Sequence, residues 1–104
     1  MTLKLERVRK NCQNPEKVQI IPLDLTKPQE VLTKATNIIN EKNIKIDILI
    51  NNAGISVRSS VLDNAFENEI FITNVNYLSQ VALTKVKIFG RTFENLFRLY
   101  FLAY

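Results

Sequence analysis

The chain has 104 residues, 46% of them hydrophobic, with a net charge of +4, one cysteine, two glycines and no histidine. That length holds one domain at most, with a modest core, and the composition is that of a globular rather than a disordered chain. A single thiol cannot staple the fold, and the lack of histidine excludes His-dependent catalytic triads and argues against a protein zinc site.

The basic residues are scattered. Lys4, Arg7, Arg9 and Lys10 lie at one end, followed by Lys27, Lys34, Lys42, Lys45, Lys85, Lys87, Arg91 and Arg98. This distribution predicts solvated helix faces, and no nucleic-acid reader motif accompanies it. Cys12 is expected to pack as a small apolar side chain. The first residues contain no apolar segment of signal-peptide length.

In chain order, residues 2–12 read as a helix, with Leu5, Val8 and Cys12 at helical spacing. Asn14-Pro15 should end it, because proline pushes its predecessor into extended geometry. Val18 to Leu23 is a β-rich run read as a strand, with Pro22 suited to its edge or end. Thr26-Lys27-Pro28-Gln29 fits a capping box, and proline is tolerated in a first turn. Val31, Leu32, Ala35, Ile38 and Ile39 form an apolar stripe, so an amphipathic helix is predicted over about 28–41.

Ile46 to Ile50 is nearly continuous apolar sequence, as in a parallel strand buried on both faces. Residues 55–63 read as a loop. Asn64 with Glu67 offers a cap for a long helix to about Lys87, whose buried face would carry Val75, Leu78, Val81, Ala82 and Val86. The order helix, strand, helix, strand, helix points to an α/β class with parallel strands. Phe89, Phe93, Phe97 and Phe101 then repeat every four residues, the spacing of one helix face, in a tail too short and too charged to span a bilayer.

Three places can carry chemistry. Asp24 follows the first strand; there a carboxylate can accept hydrogen bonds from a ligand, or complement the positive end of the next helix. Asn51-Asn52-Ala53-Gly54 follows the second strand, where open α/β folds bind ligands. It offers donors, acceptors and little side-chain bulk, and it is equally read as an ordinary turn. Asn76 sits inside the long helix, where asparagine is a weak helix former; a local distortion, a held water and a plain solvent-facing residue are all open.

Taken together and in order, these residues resemble the short-chain dehydrogenase/reductase family over roughly residues 3–86. The resemblance implies a partial Rossmann-like, doubly wound α/β domain over 1–88 and a divergent aromatic tail over 89–104. Asp24-Leu25 resembles the family's acidic residue after the third strand, which recognises the adenine end of the cofactor. Asn51-Asn52-Ala53-Gly54 resembles the motif that steadies the sheet and borders the adenine ribose. Val75-Asn76 resembles the helix pair whose asparagine is an active-site residue holding a water in the proton relay. Leu83-Thr84-Lys85 follows the family's helix pattern, whereas Ser79 stands where the family commonly has glycine. Ile55 to Ser59 and Asn76-Tyr77-Leu78 look most similar to the dehydrogenase/reductase member 7 and 7B subgroup.

The implied cofactor is NAD or NADP and the implied substrate a small alcohol or carbonyl compound, in a cytoplasmic or endoplasmic-reticulum-associated protein, with no nucleic acid. The family's Gly-rich phosphate loop would precede residue 1, and its catalytic serine and Tyr-x-x-x-Lys pair would follow about residue 100. The chain is therefore expected to be an internal piece, inactive alone and prone to self-association through unpaired strand edges. A non-enzymatic interaction fragment and a non-functional truncated product are the alternatives.

Overall fold

In the computed structural model, residues 2–46 and 48–86 are described. The Phe stripe of the tail and the end of the long helix at Lys87 lie outside them. Helix α1 spans Thr2–Lys10. It tightens at its end, where Asn11 N–H donates to Val8 and Cys12 N–H to Arg9, both at 3.0 Å. Its apolar face finds little cover: Val8 is 58% exposed. Cys12 is exposed as well, so the expected apolar packing of this thiol does not occur. The basic side chains of residues 4–58 lie at the surface, as their scatter predicts.

Helix α2 spans Pro28–Glu41, with proline in its first turn. The capping box does not form. Lys27 is the N-cap, with no side-chain cap bond; the Thr26 hydroxyl donates instead to Asp24, at 2.7 Å. The C-terminus closes in a Schellman motif. Asn43 adopts φ 48°, Ile44 N–H donates to the Ile39 carbonyl at 3.0 Å, and Asn43 N–H donates to Asn40 at 3.3 Å. The accompanying apolar contact is present, because Ile44 packs against the cluster that holds Ile39.

The long third helix is one rod in three pieces. Helix α3 covers Phe66–Thr73, a π-helical turn covers Asn74–Leu78, and helix α4 covers Ser79–Lys85. Asn64 does not cap it: Ala65 holds that position without a side-chain bond, while Asn64 binds Glu69 and accepts from Asn68. Of the face expected to be buried, Val75, Ala82 and Val86 are buried, whereas Leu78 is 41% exposed. Ala35, Ile39 and Val86 form the centre of the core, joined by Leu23, Leu32, Ile44, Ile46, Leu49 and Leu83. Helix α2 packs on α4 across this cluster.

The two predicted strands differ from expectation. Val18–Leu23, Ile46 and Ile48–Ile50 run as non-helical chain, and only Leu49 has bridge geometry among the described residues. They do not form a ladder with each other. A strand is held by its neighbours' backbone groups, and the family resemblance makes these segments the third and fourth strands of a doubly wound sheet, which are not adjacent in its order. Nor is the second segment covered on both faces. Leu49 and Asn51 turn inward, but Ile48 and Ile50 are each 54% exposed. Covering both faces takes a helix layer on each side, and α2 with α4 supplies one.

Candidate functional site

The helical rod from Asn74 to Thr84 holds both candidate loops. On one side, the fully buried Ser79 hydroxyl donates to the Leu25 carbonyl at 2.7 Å. The Asn74 carboxamide donates to the Thr26 carbonyl at 3.1 Å. On the other side, Asn76 makes a paired contact with the Ile55 backbone: it donates to the carbonyl and accepts from the N–H, both at 2.8 Å. Gln80 donates to the Ala53 carbonyl at 2.6 Å. Asn51 donates to the Thr84 hydroxyl at 3.2 Å, and that hydroxyl donates to the Gln80 carbonyl at 2.8 Å.

These bonds fix the amide orientations. Thr84 has its proton committed to Gln80, so Asn51 must present its amide N–H to it. The remaining Asn51 oxygen is buried and has no partner among the described residues, a state that costs about 1–3 kcal/mol. Asn51 does not line the groove described next, so the donor it lacks is not a groove ligand.

An open groove of about 530 Å³ lies between the 52–56 segment and the rod, lined by Asn52, Ala53, Gly54, Ile55, Ser56, Asn76 and Gln80. Of the candidate residues, the structure thus brings together Asn52, Ala53, Gly54 and Asn76. Asp24, Leu25, Asn51 and Val75 do not line it. Asn76 sits in the π-helical turn, so the distortion considered from its sequence position is present. The groove carries carboxamides, backbone groups and small side chains, but no cation among its lining residues. It suits flat rings and hydroxyls better than phosphates.

Asp24 is exposed and closes a tight turn, with one carboxylate oxygen accepting from both the Thr26 N–H at 3.0 Å and the Thr26 hydroxyl. Its other oxygen makes no hydrogen bond among the described residues. The Thr26 hydroxyl, then the Thr26 amide, holds the carboxyl below its ordinary pKa. A folded-state pKa lowered in this way gives a turn that is intact above the unfolded value and is lost as pH falls through the folded one. Thr26→Val should bring the Asp24 pKa back up towards its ordinary value in a carbon-detected NMR titration. An unmoved pKa would mean that the hydroxyl is not the cause.

Gln80, Asn74 and Ser79 escaped the reading of the sequence as site residues. The available signal was the i, i+4, i+8 spacing of Asn76, Gln80 and Thr84, which places three hydrogen-bonding side chains on one helix face.

Residues 2–88 match the family model described as short chain dehydrogenase. The chain belongs to that family. Among its relatives, an Anopheles gambiae protein named "Dehydrogenase/reductase SDR family protein 7-like" is 41% identical over 87 residues, covering 78% of this chain and 27% of the relative. The mouse "Dehydrogenase/reductase SDR family member 7" is 39% identical over 88 residues, covering 78% and 25%. A Xenopus laevis member 7B is 36% identical over 81 residues, with the same coverage. The chain thus spans about a quarter of the length of the curated relatives it matches. No solved structure matches it. Membership is consistent with an α/β, Rossmann-like fold. Among the described residues, no helix is long and apolar enough to cross a membrane.

Proposed function

We propose that residues 1–88 are the part of an NAD(P)(H)-dependent oxidoreductase that borders the nucleoside portion of the cofactor and one side of the proton relay, with 89–104 a divergent tail. The observation that carries this reading is the groove itself: Asn52, Ala53 and Gly54 face Asn76 across it, on a segment tied to the rod by four hydrogen bonds. Its lack of side-chain bulk and of cations fits an uncharged ring and ribose. When bound, the cofactor supplies or accepts the hydride that interconverts an alcohol and a carbonyl.

The chain's own residues orient and hold. Asn52 offers a carboxamide to ribose hydroxyls, and Ala53 with Gly54 leaves the backbone open to close approach. Asp24 offers its unengaged oxygen to a hydroxyl or amine at the adenine end. Leu25, fixed by Ser79, and Val75, packed in the core, set the loop and the turn at the groove's border. Asn76 uses one amide N–H and one oxygen lone pair on Ile55, which leaves its second N–H and second lone pair, on an exposed side chain, to hold a water. The buried acceptor on Asn51 suits a donor from a neighbouring segment of a complete sheet. None of the tyrosines Tyr77, Tyr100 and Tyr104 has a lysine four positions on, so the chain alone has no tyrosine–lysine proton donor and is proposed to be inactive in isolation.

Grafting residues 2–88 in place of the matching stretch of the mouse relative tests this. The graft should turn over an alcohol or carbonyl substrate with NAD(P)(H), and Asn76→Ala in it should lower kcat by more than it raises KM for the cofactor. A folded graft with no turnover contradicts the reading; equal effects on kcat and KM assign Asn76 to structure alone.

A further inference from the structure

The rungs between the rod and the Asn51–Ile55 segment have a regularity that their individual bonds do not require. Thr84, Gln80 and Asn76 meet Asn51, Ala53 and Ile55 in turn, at 3.2, 2.6 and 2.8 Å. One of these partners is the Asn51 side chain and the other two are backbone groups, the Ala53 carbonyl and the Ile55 N–H and carbonyl. Three side chains of the rod thus hold alternate residues of a segment that has no strand ladder of its own among the described residues, and Gln80 holds the middle one.

Resting on the cofactor reading above, we infer that Gln80 is a positioning residue: as the central rung, it locks the register of residues 51–55 against the rod and so presents Asn52 and Gly54 to the ligand. Asn76 and Thr84 each have a second task, since Asn76 forms two bonds to Ile55 and Thr84 also bonds back to its own helix. Gln80's side chain has one bond among the described residues, and it goes to the Ala53 carbonyl. The inference assigns Gln80 no contact with reacting atoms.

The chemistry of the rung supplies its own test. A glutamate in place of Gln80 has nearly the same shape. Protonated, it donates to the Ala53 carbonyl; ionised, it cannot donate and repels that oxygen. In Gln80→Glu of the 104-residue chain, hydrogen exchange at the Ile55 amide, measured relative to the unsubstituted chain at the same pH, should be several-fold to about tenfold faster at neutral pH, the range one neutral hydrogen bond supports. It should return to the unsubstituted rate below the glutamate pKa. The affinity for NAD⁺, chosen because it tolerates acid, should follow the same pH profile. Gln80→Met should show the loss at both pH values, with helical circular dichroism retained throughout.

Ile55 exchange that is indifferent to both substitutions at both pH values overturns the inference. A loss in Gln80→Glu that does not recover on acidification also overturns it, because a role in packing alone has no pH dependence of this sign. If exchange follows Gln80 while the unsubstituted chain gives no response to NAD⁺, the rung stands and the cofactor reading fails. If NAD⁺ binds equally well to all three proteins, the cofactor reading stands and the positioning role fails.

Discussion

Val31→Asp should abolish the helical circular dichroism of the chain. Val31 is 1% exposed and lies on the stripe of α2 that faces α4. The substitution removes a buried valine, worth roughly 1.5–3 kcal/mol, and places a carboxylate where no cation is provided, which costs several kcal/mol more. A domain has only about 5–15 kcal/mol of stability to lose. Asn37→Asp on the exposed side of the same helix is the matched control and should leave the spectrum unchanged. A Val31→Asp chain that keeps its helicity and melting temperature would show that α2 is not packed on α4.

Ser79→Ala should cost about 1–3 kcal/mol, the penalty of stranding a buried hydrogen-bonding group. Ser79 is fully buried and its hydroxyl is the partner of the Leu25 carbonyl. Alanine fits the space and has the better helix propensity, so the loss isolates the missing bond. In a domain of this size each ~1 kcal/mol lowers the melting temperature by roughly 4–8 °C. The Thr26 amide, held in the same loop, should exchange faster in the variant. An unchanged melting temperature together with unchanged Thr26 exchange would mean that the serine does not tether the loop.

Much of the fold was legible because helices announce themselves locally. The 31, 35, 39 stripe and the proline start of α2 fixed that helix to within its observed bounds, Pro28–Glu41. Its stop was written in Asn43, whose short polar side chain tolerates positive φ, although the sequence reading did not use it. The caps were misjudged for a physical reason. Asp24 accepts from both the Thr26 N–H and the Thr26 hydroxyl, which closes Thr26 into the preceding turn, and the helix starts one residue later with Lys27 as its N-cap. The strands were legible as apolar runs and not as ladders, because Val18–Leu23 and Ile46–Ile50 take their state from neighbours, and composition says nothing about which neighbours are present. In the site, Asn51 to Gly54 and Asn76 could be named from sequence, since a turn cluster after an apolar run and an asparagine inside a helix are both anomalies. Gln80 and Ser79 could not, because a glutamine or serine in a helix is unremarkable until the chain it bonds, 27 or 54 residues away, is placed beside it.

The central claim is that residues 52–56, with Asn76 and Gln80, form the cofactor-facing groove of a short-chain dehydrogenase fragment. Titrating NAD⁺ and NADP⁺ into the isotopically labelled 104-residue chain and following its amide NMR signals tests it most directly. The account predicts saturable shifts concentrated at Asn52 to Ser56, Asn76 and Gln80, with a smaller response at Asp24 and Leu25. Without a phosphate loop in the 104 residues, the dissociation constant should be about millimolar, or roughly −4 kcal/mol. Shifts confined to α1 or to the exposed face of α2, or no response at tens of millimolar of either nucleotide on a chain that is demonstrably folded, would contradict it.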